Sequence, residues 1–190
     1  MVNQAEKMLT EADKYLQEMR NALKEVRILP NAVFTIHSSE FRTKEKFEAR
    51  KMEMEKISTP LIYVLEVAPP DKLEELLTAF EEFRISNRQK TKSKDRVNVS
   101  RFNGGRSPVL YVGSSVKFYT RLTNHFGLSS VRTYGMHLSK WDNDLDYSIV
   151  LKTCSLTHLQ GANIDQSLLE LIEQRFWDNL QPVFGKKSGH

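Results

Sequence analysis

Three side chains that can bind phosphate recur every four residues between Lys117 and His125. Lys117, Arg121 and His125 therefore share one face of the helix that this stretch predicts. The helix follows a short apolar run containing Tyr111, so a phenol lies at the end of a strand beside the cations. Two cations and a titratable imidazole in one row can hold a phosphate group. The spacing thus predicts a site for a negatively charged partner.

A second set of cations lies between Arg84 and Arg106, where eight Lys and Arg residues accompany a single acid, Asp95. Low apolar content and the adjacent Gly104 and Gly105 favour a mobile loop. A solvated loop explains this composition, and so does an arm that contacts phosphates, because clustered cations gain affinity for nucleic acid by releasing counterions. The candidate nucleic-acid-binding residues are Lys117 and six cations of this segment: Arg88, Lys90, Lys92, Lys94, Arg96 and Arg101.

The composition restricts the class of protein. The 190 residues are 39% hydrophobic and 27% charged, with a net charge of +4, as in an ordinary globular protein. No run approaches the roughly 18 apolar residues of a membrane span, and the polar start from Asn3 onward is unlike a secretory signal. The only cysteine, Cys154, excludes a disulfide framework. We therefore expect a cytoplasmic protein with no membrane partner.

Three β-rich segments predict the strands that must position the polar residues: 61–67, 108–112 and 147–154. Asp71 and Asp165 are placed to cap two helices, the second of which ends before Pro182. A small α+β fold, with a sheet layered against helices, fits this pattern. It can bring Tyr63 and a carboxylate of the last helix towards Tyr111, Arg121 and His125.

The N-terminal segment predicts one long helix over residues 3–28, ended by Pro30. Two interpretations are open: the helix packs on its own domain, or it pairs with a second copy and makes a homodimer. A short strand at 33–36 and a helix at 43–56 follow. The long helix predicted at 3–28 has apolar residues at the alternating four- and three-residue spacing of a coiled coil: Ala5, Leu9, Ala12, Leu16, Met19, Leu23 and Val26.

The order of the polar residues resembles the GIY-YIG nuclease family. Leu61-Ile62-Tyr63 is followed by Tyr111-Val112-Gly113, then by Arg121, then by His125, and finally by a glutamate nine residues before a proline. That last spacing selects Glu173 rather than Glu170. The first motif lacks its glycine, and the 48 positions from Tyr63 to Tyr111 exceed the family's usual separation.

The resemblance implies a fold and a domain division. The fold is a small three-stranded, mainly antiparallel sheet flanked by helices. Residues 59–190 are then a nuclease domain with an inserted helix and basic loop at 70–107, and residues 1–58 are an N-terminal helical extension.

The resemblance also implies a function: hydrolysis of phosphodiester bonds in DNA by an endonuclease that uses Mg²⁺ or Mn²⁺, with double-stranded DNA as partner and a restriction-like mode of cutting. Glu173 is the implied metal ligand and Arg121 holds the scissile phosphate. Tyr63 is the implied general base, with a pKa lowered by a nearby cation, and Tyr111 positions water or a phosphate oxygen. His125 accepts the proton of the tyrosine or binds phosphate.

A second interpretation belongs to another class, a non-catalytic nucleic-acid-binding protein with a degenerate nuclease core. An inactive copy tends to lose the arginine or the glutamate, and this chain keeps both Arg121 and Glu173. We therefore expect an enzyme.

Overall fold

The chain folds around one four-stranded antiparallel sheet. The computed structural model describes residues 2–161 and 163–187, with Val2 and Asn3 described by their backbone alone. The strands are β1 (Val26–His37), β2 (Leu61–Ala68), β3 (Val109–Ser115) and β4 (Ser148–His158), in the spatial order β1-β4-β2-β3. The predicted α+β class is confirmed. The prediction of three strands is wrong, because the N-terminal segment contributes β1.

Strand β1 begins where the sequence predicted the end of a helix. The first helix ends at Glu25, and Pro30 lies inside the strand, beside an irregularity in the pairing of β1 with β4 between Pro30 and Val33. An edge strand tolerates proline there, since one side of its backbone pairs with no other strand. The short strand predicted at 33–36 is part of β1, so the N-terminal segment is not only helical.

Seven α-helices and two short 3-10 helices accompany the sheet in the described residues. The helices predicted after Asp71 and Asp165 are confirmed as α5 (Lys72–Gln89) and α7 (Gln166–Leu180). The carboxylate of Asp165 accepts a hydrogen bond from the backbone N–H of Ser167 at 2.9 Å, whereas the side chain of Asp71 makes no capping hydrogen bond. None of these helices is long and apolar enough to cross a membrane. The seven α-helices are α1 (Val2–Glu25), α2 (Ser38–Phe41), α3 (Lys44–Glu48), α4 (Lys51–Met54), α5 (Lys72–Gln89), α6 (Phe118–Phe126) and α7 (Gln166–Leu180).

Strand β2 is central, and its side chains are buried on both faces of the sheet. Because successive side chains alternate between the faces, Tyr63 joins the core that includes residues of α5 and α6, whereas Ile62 and Val64 join the core that includes residues of α7. The sheet therefore separates α6 from α7. Any site that uses both helices has to form at the rim of the sheet.

The chain between α5 and β3 is tied to the rest of the fold. Backbone N–H groups of Asn98, Ser100 and Asn103 donate to the carbonyls of residues 131, 135 and 183 at 2.7, 2.8 and 2.8 Å. The tail after α7 is held in turn, because Val183 and Phe184 donate to carbonyls of β3 at 2.9 and 2.8 Å. Residues 98–103, which the sequence analysis placed in a mobile loop, are therefore attached to the rest of the fold by backbone hydrogen bonds.

Candidate active site

Tyr63 and His125 form a buried hydrogen-bonded pair. The phenol oxygen of Tyr63 lies 2.9 Å from Nε2 of His125, and both side chains are fully buried. Nδ1 of His125 accepts a hydrogen bond from the backbone N–H of Met136 at 3.4 Å. A neutral imidazole carries one proton, so we assign it to Nε2, which then donates to Tyr63. In this tautomer Nε2 of His125 cannot accept the proton of Tyr63.

Tyr111 and Arg121 lie beside this pair. The guanidinium of Arg121 donates to the hydroxyl of Tyr111 at 3.0 Å and to the backbone carbonyl of Tyr134 at 3.0 Å. Ring centroids are 4.1 Å apart between Tyr111 and His125, and 6.1 Å between Tyr63 and Tyr111. A guanidinium has five N–H donors, so donors remain after these two bonds. The arginine is thus held in place with donors left for an anion.

Gly113 is the residue that lets the two phenols approach the strand. It lies opposite Tyr63 in the pairing of β2 with β3. A Cβ atom at Gly113 would lie 2.7 Å from the Tyr63 hydroxyl and 2.8 Å from a ring carbon of Tyr111. The close packing of the two tyrosines therefore explains why the third residue of the Tyr-Val-Gly motif is a glycine in this fold.

The electrostatics of the cluster differ from what the resemblance implied. Burial raises the pKa of Tyr63 well above its ordinary value, with a further increase from Tyr111, and these effects exceed the opposing effect of Arg121. Burial likewise raises the pKa of Tyr111. Burial lowers the pKa of His125 well below its ordinary value, helped by Arg121. The expectation of a lowered pKa for Tyr63 is wrong in this structure, and His125 is neutral at pH 7.

Glu173 reaches the cluster from the other face of the sheet. Its helix, α7, packs against β3, and its carboxylate accepts a hydrogen bond from the hydroxyl of Ser114 at 2.5 Å. Ser114 directly follows Gly113, at the rim of the sheet. The negative charge of Glu173 contributes to the raised pKa values of both Tyr63 and Tyr111. Glu173 and the two phenols therefore lie close enough to interact, although they come from opposite sides of the sheet.

Glu173 and Ser114 are the residues of this cluster whose oxygen atoms could hold a metal ion. A carboxylate, the Ser114 hydroxyl and nearby phenols are hard donors, and Mg²⁺ commonly binds through one or two carboxylates while keeping several waters. Across residues 2–161 and 163–187, no group of three or more His, Cys, Asp and Glu side chains could hold a metal. One carboxylate beside a hydroxyl is the kind of donor set to which Mg²⁺ binds while it keeps several waters.

The predicted nucleic-acid-binding cations separate into groups. A cavity of about 900 Å³ adjoins Tyr111 and Arg121, and Arg88 and Arg101 line it. Lys117 instead faces a smaller cavity beside α4. Arg96 donates to the backbone carbonyls of residues 88 and 90 at 3.2 and 2.9 Å, which holds its own loop. The remaining three predicted cations do not line the large cavity: Lys90, Lys92 and Lys94.

Most residues that line the large cavity were not among the predicted site residues, and Arg84, Ser100, Tyr134 and Lys186 are four of them. Arg84 and Lys186 belong to stretches whose basic composition was visible in the sequence. Ser100 and Tyr134 carry no local signal, because they reach the cavity through long-range hydrogen bonds of the backbone.

The chain matches no protein-family model, no curated protein and no solved structure.

Proposed function

We propose that this chain is a metal-dependent endonuclease that hydrolyses phosphodiester bonds in DNA, with an active site of the GIY-YIG type. The observation that carries the proposal is the convergence of Tyr63, Tyr111, Arg121 and His125 in one hydrogen-bonded cluster beside Glu173. These five residues come from two strands and two helices. The resemblance to the GIY-YIG family selected each of them from the sequence. Packing of a hydrophobic core alone does not require this set of polar groups.

Arg121 is the phosphate ligand in this proposal. It lines the cavity, and its bonds to Tyr111 and to the carbonyl of Tyr134 fix the guanidinium before a substrate arrives. A fixed cation stabilises the negative charge that develops on the phosphate oxygens during hydrolysis. Its planar fork of donors also suits a phosphate group.

The two phenols have different positions. Tyr111 lines the cavity, so its hydroxyl is the one that can orient a water molecule or a phosphate oxygen. Tyr63 is fully buried behind Tyr111, and its hydroxyl oxygen accepts a hydrogen bond from the Nε2–H of His125. We assign Tyr63 a positioning role in place of the general-base role implied by the resemblance. The role of His125 is to hold the oxygen of Tyr63.

Glu173 would hold the metal ion, with Ser114 orienting its carboxylate. A bound Mg²⁺ supplies stabilisation of negative charge at the phosphate oxygens. The chain itself contributes the guanidinium of Arg121, which its hydrogen bonds hold in place, and the hydroxyl of Tyr111.

Incubation of supercoiled plasmid DNA with the protein tests the proposal. We expect nicked or linear DNA with Mg²⁺ and intact DNA with EDTA. Glu173→Gln and Arg121→Gln should each lower the cleavage rate by roughly 100-fold or more, as expected for loss of a group that stabilises charge in the transition state.

Glu170→Gln is the matched control, since Glu170 lies one helical turn before Glu173 and bonds to Gln166 at 2.8 Å instead. It should cleave at the rate of the unmodified protein. Retention of DNA binding with no cleavage under any divalent cation would instead favour the non-catalytic nucleic-acid-binding protein. Equal rates for Glu173→Gln and Glu170→Gln would remove Glu173 from the site.

A further inference from the structure

The large cavity extends away from the hydrolytic cluster into a space that the cluster does not use. It is lined by residues of α5 and of the segment 97–102, together with Tyr111 and Arg121. Its volume of about 900 Å³ is that of a pocket for a small molecule. A DNA duplex cannot enter such a space, whereas a single nucleotide can.

The walls of the cavity combine aromatic rings with positive charge. Phe83, Phe102 and Tyr134 supply rings, and Arg84 places its guanidinium carbon 5.8 Å from the centre of the Phe102 ring. No carboxylate lines the cavity in the described part of the chain, although Arg84 forms an ion pair with Glu81 at 2.6 Å beside it. Flat rings beside cations are what a nucleotide requires, because its base stacks and its phosphate is anionic.

Two buried polar atoms at this cavity have no hydrogen-bond partner. They are Oγ of Ser100, a residue only 4% exposed, and Nε of Arg84. The Ser100 backbone is fixed by its bond to the carbonyl of Gly135 at 2.8 Å. A buried polar atom without a partner is unfavourable. A bound molecule with polar edges would give both atoms partners.

We propose that this cavity binds one unpaired nucleotide of a DNA substrate, next to the phosphate that Arg121 holds. Its base stacks among Phe83, Phe102 and Tyr134, and its polar edge bonds to Ser100. The proposal rests on the proposed function, since it places the nucleotide beside the scissile phosphate. It makes DNA with a bulged or extruded base the preferred substrate over a fully paired duplex.

Binding in EDTA separates this proposal from cleavage. The probes are two DNA duplexes of one length that each carry a fluorescent purine analogue, either paired or as a single-nucleotide bulge. The full-length protein should bind the bulged duplex about tenfold more tightly, as expected from stacking of one base on aromatic side chains. It should also change the fluorescence of the bulged purine and leave that of the paired purine unchanged. Equal affinities with unchanged fluorescence would overturn the proposal.

Two substitutions test the lining of the cavity against a matched control. Ser100→Ala and Arg84→Gln should each reduce the preference for the bulged duplex by threefold or more. Arg106→Gln removes the same charge from an arginine of the same basic segment that pairs with Glu74 outside the cavity, and it should leave the preference unchanged. If either variant fails to fold by circular dichroism, Tyr134→Leu replaces it, because Tyr134 is 52% exposed. An equal loss in Arg84→Gln and Arg106→Gln would mean that only net charge matters.

The two proposals fail in different ways. Plasmid cleavage with no preference for the bulge removes the nucleotide pocket and leaves the nuclease. Preference for the bulge without cleavage in either Mg²⁺ or Mn²⁺ removes the nuclease and leaves a pocket for an unpaired nucleotide.

Discussion

Gly113 controls how closely Tyr63 and Tyr111 pack against β3. The Cβ of an alanine at this position would lie 2.7 Å from the hydroxyl of Tyr63, a side chain that is fully buried. We expect Gly113→Ala to lower the free energy of unfolding by about 1–3 kcal/mol, the usual effect of overpacking. Urea denaturation measures the change.

Gly105→Ala is the control for this substitution. Its Cβ would lie 3.5 Å from the nearest atom, the carbonyl oxygen of Gln181, which is an ordinary contact. We expect a change within about 0.5 kcal/mol, as for most surface substitutions. A similar loss of stability in both variants would contradict the steric account of Gly113.

His125 should make stability depend on pH. Burial and Arg121 lower its pKa in the folded state, whereas in the unfolded chain its pKa is about 6.5. As pH falls below about 6.5, the unfolded state therefore binds a proton that the folded state does not. Stability is present above this pH and is lost below it, by up to about 1.4 kcal/mol per pH unit for this group.

Urea denaturation of the protein at about pH 7.5 and about pH 5.5 checks this prediction. His125→Gln should be less stable than the unmodified protein at the higher pH, because Tyr63 loses its partner. Its stability should nevertheless decrease less between the two pH values. The same decrease in both proteins would show that His125 is not the group responsible.

At the scale of elements, the predictions from the sequence were most accurate for helices with a regular spacing of apolar and charged residues. Arg121 and His125 lie in α6 as their four-residue spacing indicated, whereas Lys117 precedes the helix, which begins at Phe118, so the spacing does not place it on the same face. The first part of strand β1 was missed because its start, Val26, also continues the coiled-coil pattern of α1. The strand also lacks a clean alternation of buried and exposed residues.

The contacts that join distant parts of the chain could not be obtained from periodicity. The bond between Tyr63 and His125 spans 62 positions, and only the order of the motifs suggested it. The burial that raises the pKa of Tyr63 is a property of the folded core, so the residue type and its neighbours in sequence could not reveal it. The cavity is likewise formed by backbone bonds across three segments.

Asn87 fixes the segment 97–102 to α5. Its side-chain amide accepts from the backbone N–H of Val97 at 2.9 Å and donates to the Val97 carbonyl at 3.0 Å. Loss of both bonds should destabilise the local attachment by about 1–3 kcal/mol. We expect Asn87→Ala to be cut by trypsin between Lys90 and Arg101 roughly tenfold faster, since cleavage follows the population of the open segment. Gln89→Ala, at an exposed position of the same helix, should keep the rate of the unmodified protein.

At the scale of the whole molecule, the two edge strands of the sheet differ in how their backbones are protected. The edge at β3 is covered, because the backbone of Val183 and Phe184 bonds to it. The edge at β1 has no such cover in the described residues, and Pro30 and the irregular pairing interrupt it. These features disfavour pairing of β1 with another chain. Association between copies should therefore use a surface other than this edge.

Helix α1 offers that surface. Leu9, Leu16 and Leu23 follow one another at seven-residue spacing and are 71%, 63% and 46% exposed, whereas Met19 and Ala22 pack towards the core that includes α7. The helix thus packs on its own chain only near its C-terminal end. The leucine stripe is left for a helix of matching period, and a second copy of α1 provides one. We expect a homodimer in solution.

Leu16→Lys should convert this dimer to a monomer, because it places a charge in the centre of the apolar stripe. Gln17→Lys adds the same charge one residue outside the stripe, at an exposed position, and should remain dimeric. Sedimentation velocity at micromolar concentration distinguishes the two, and a monomeric unmodified protein would contradict the prediction. A symmetric dimer presents two sites to two DNA strands. Leu16→Lys should therefore shift the plasmid products from linear to nicked DNA, while Gln17→Lys should leave their ratio unchanged.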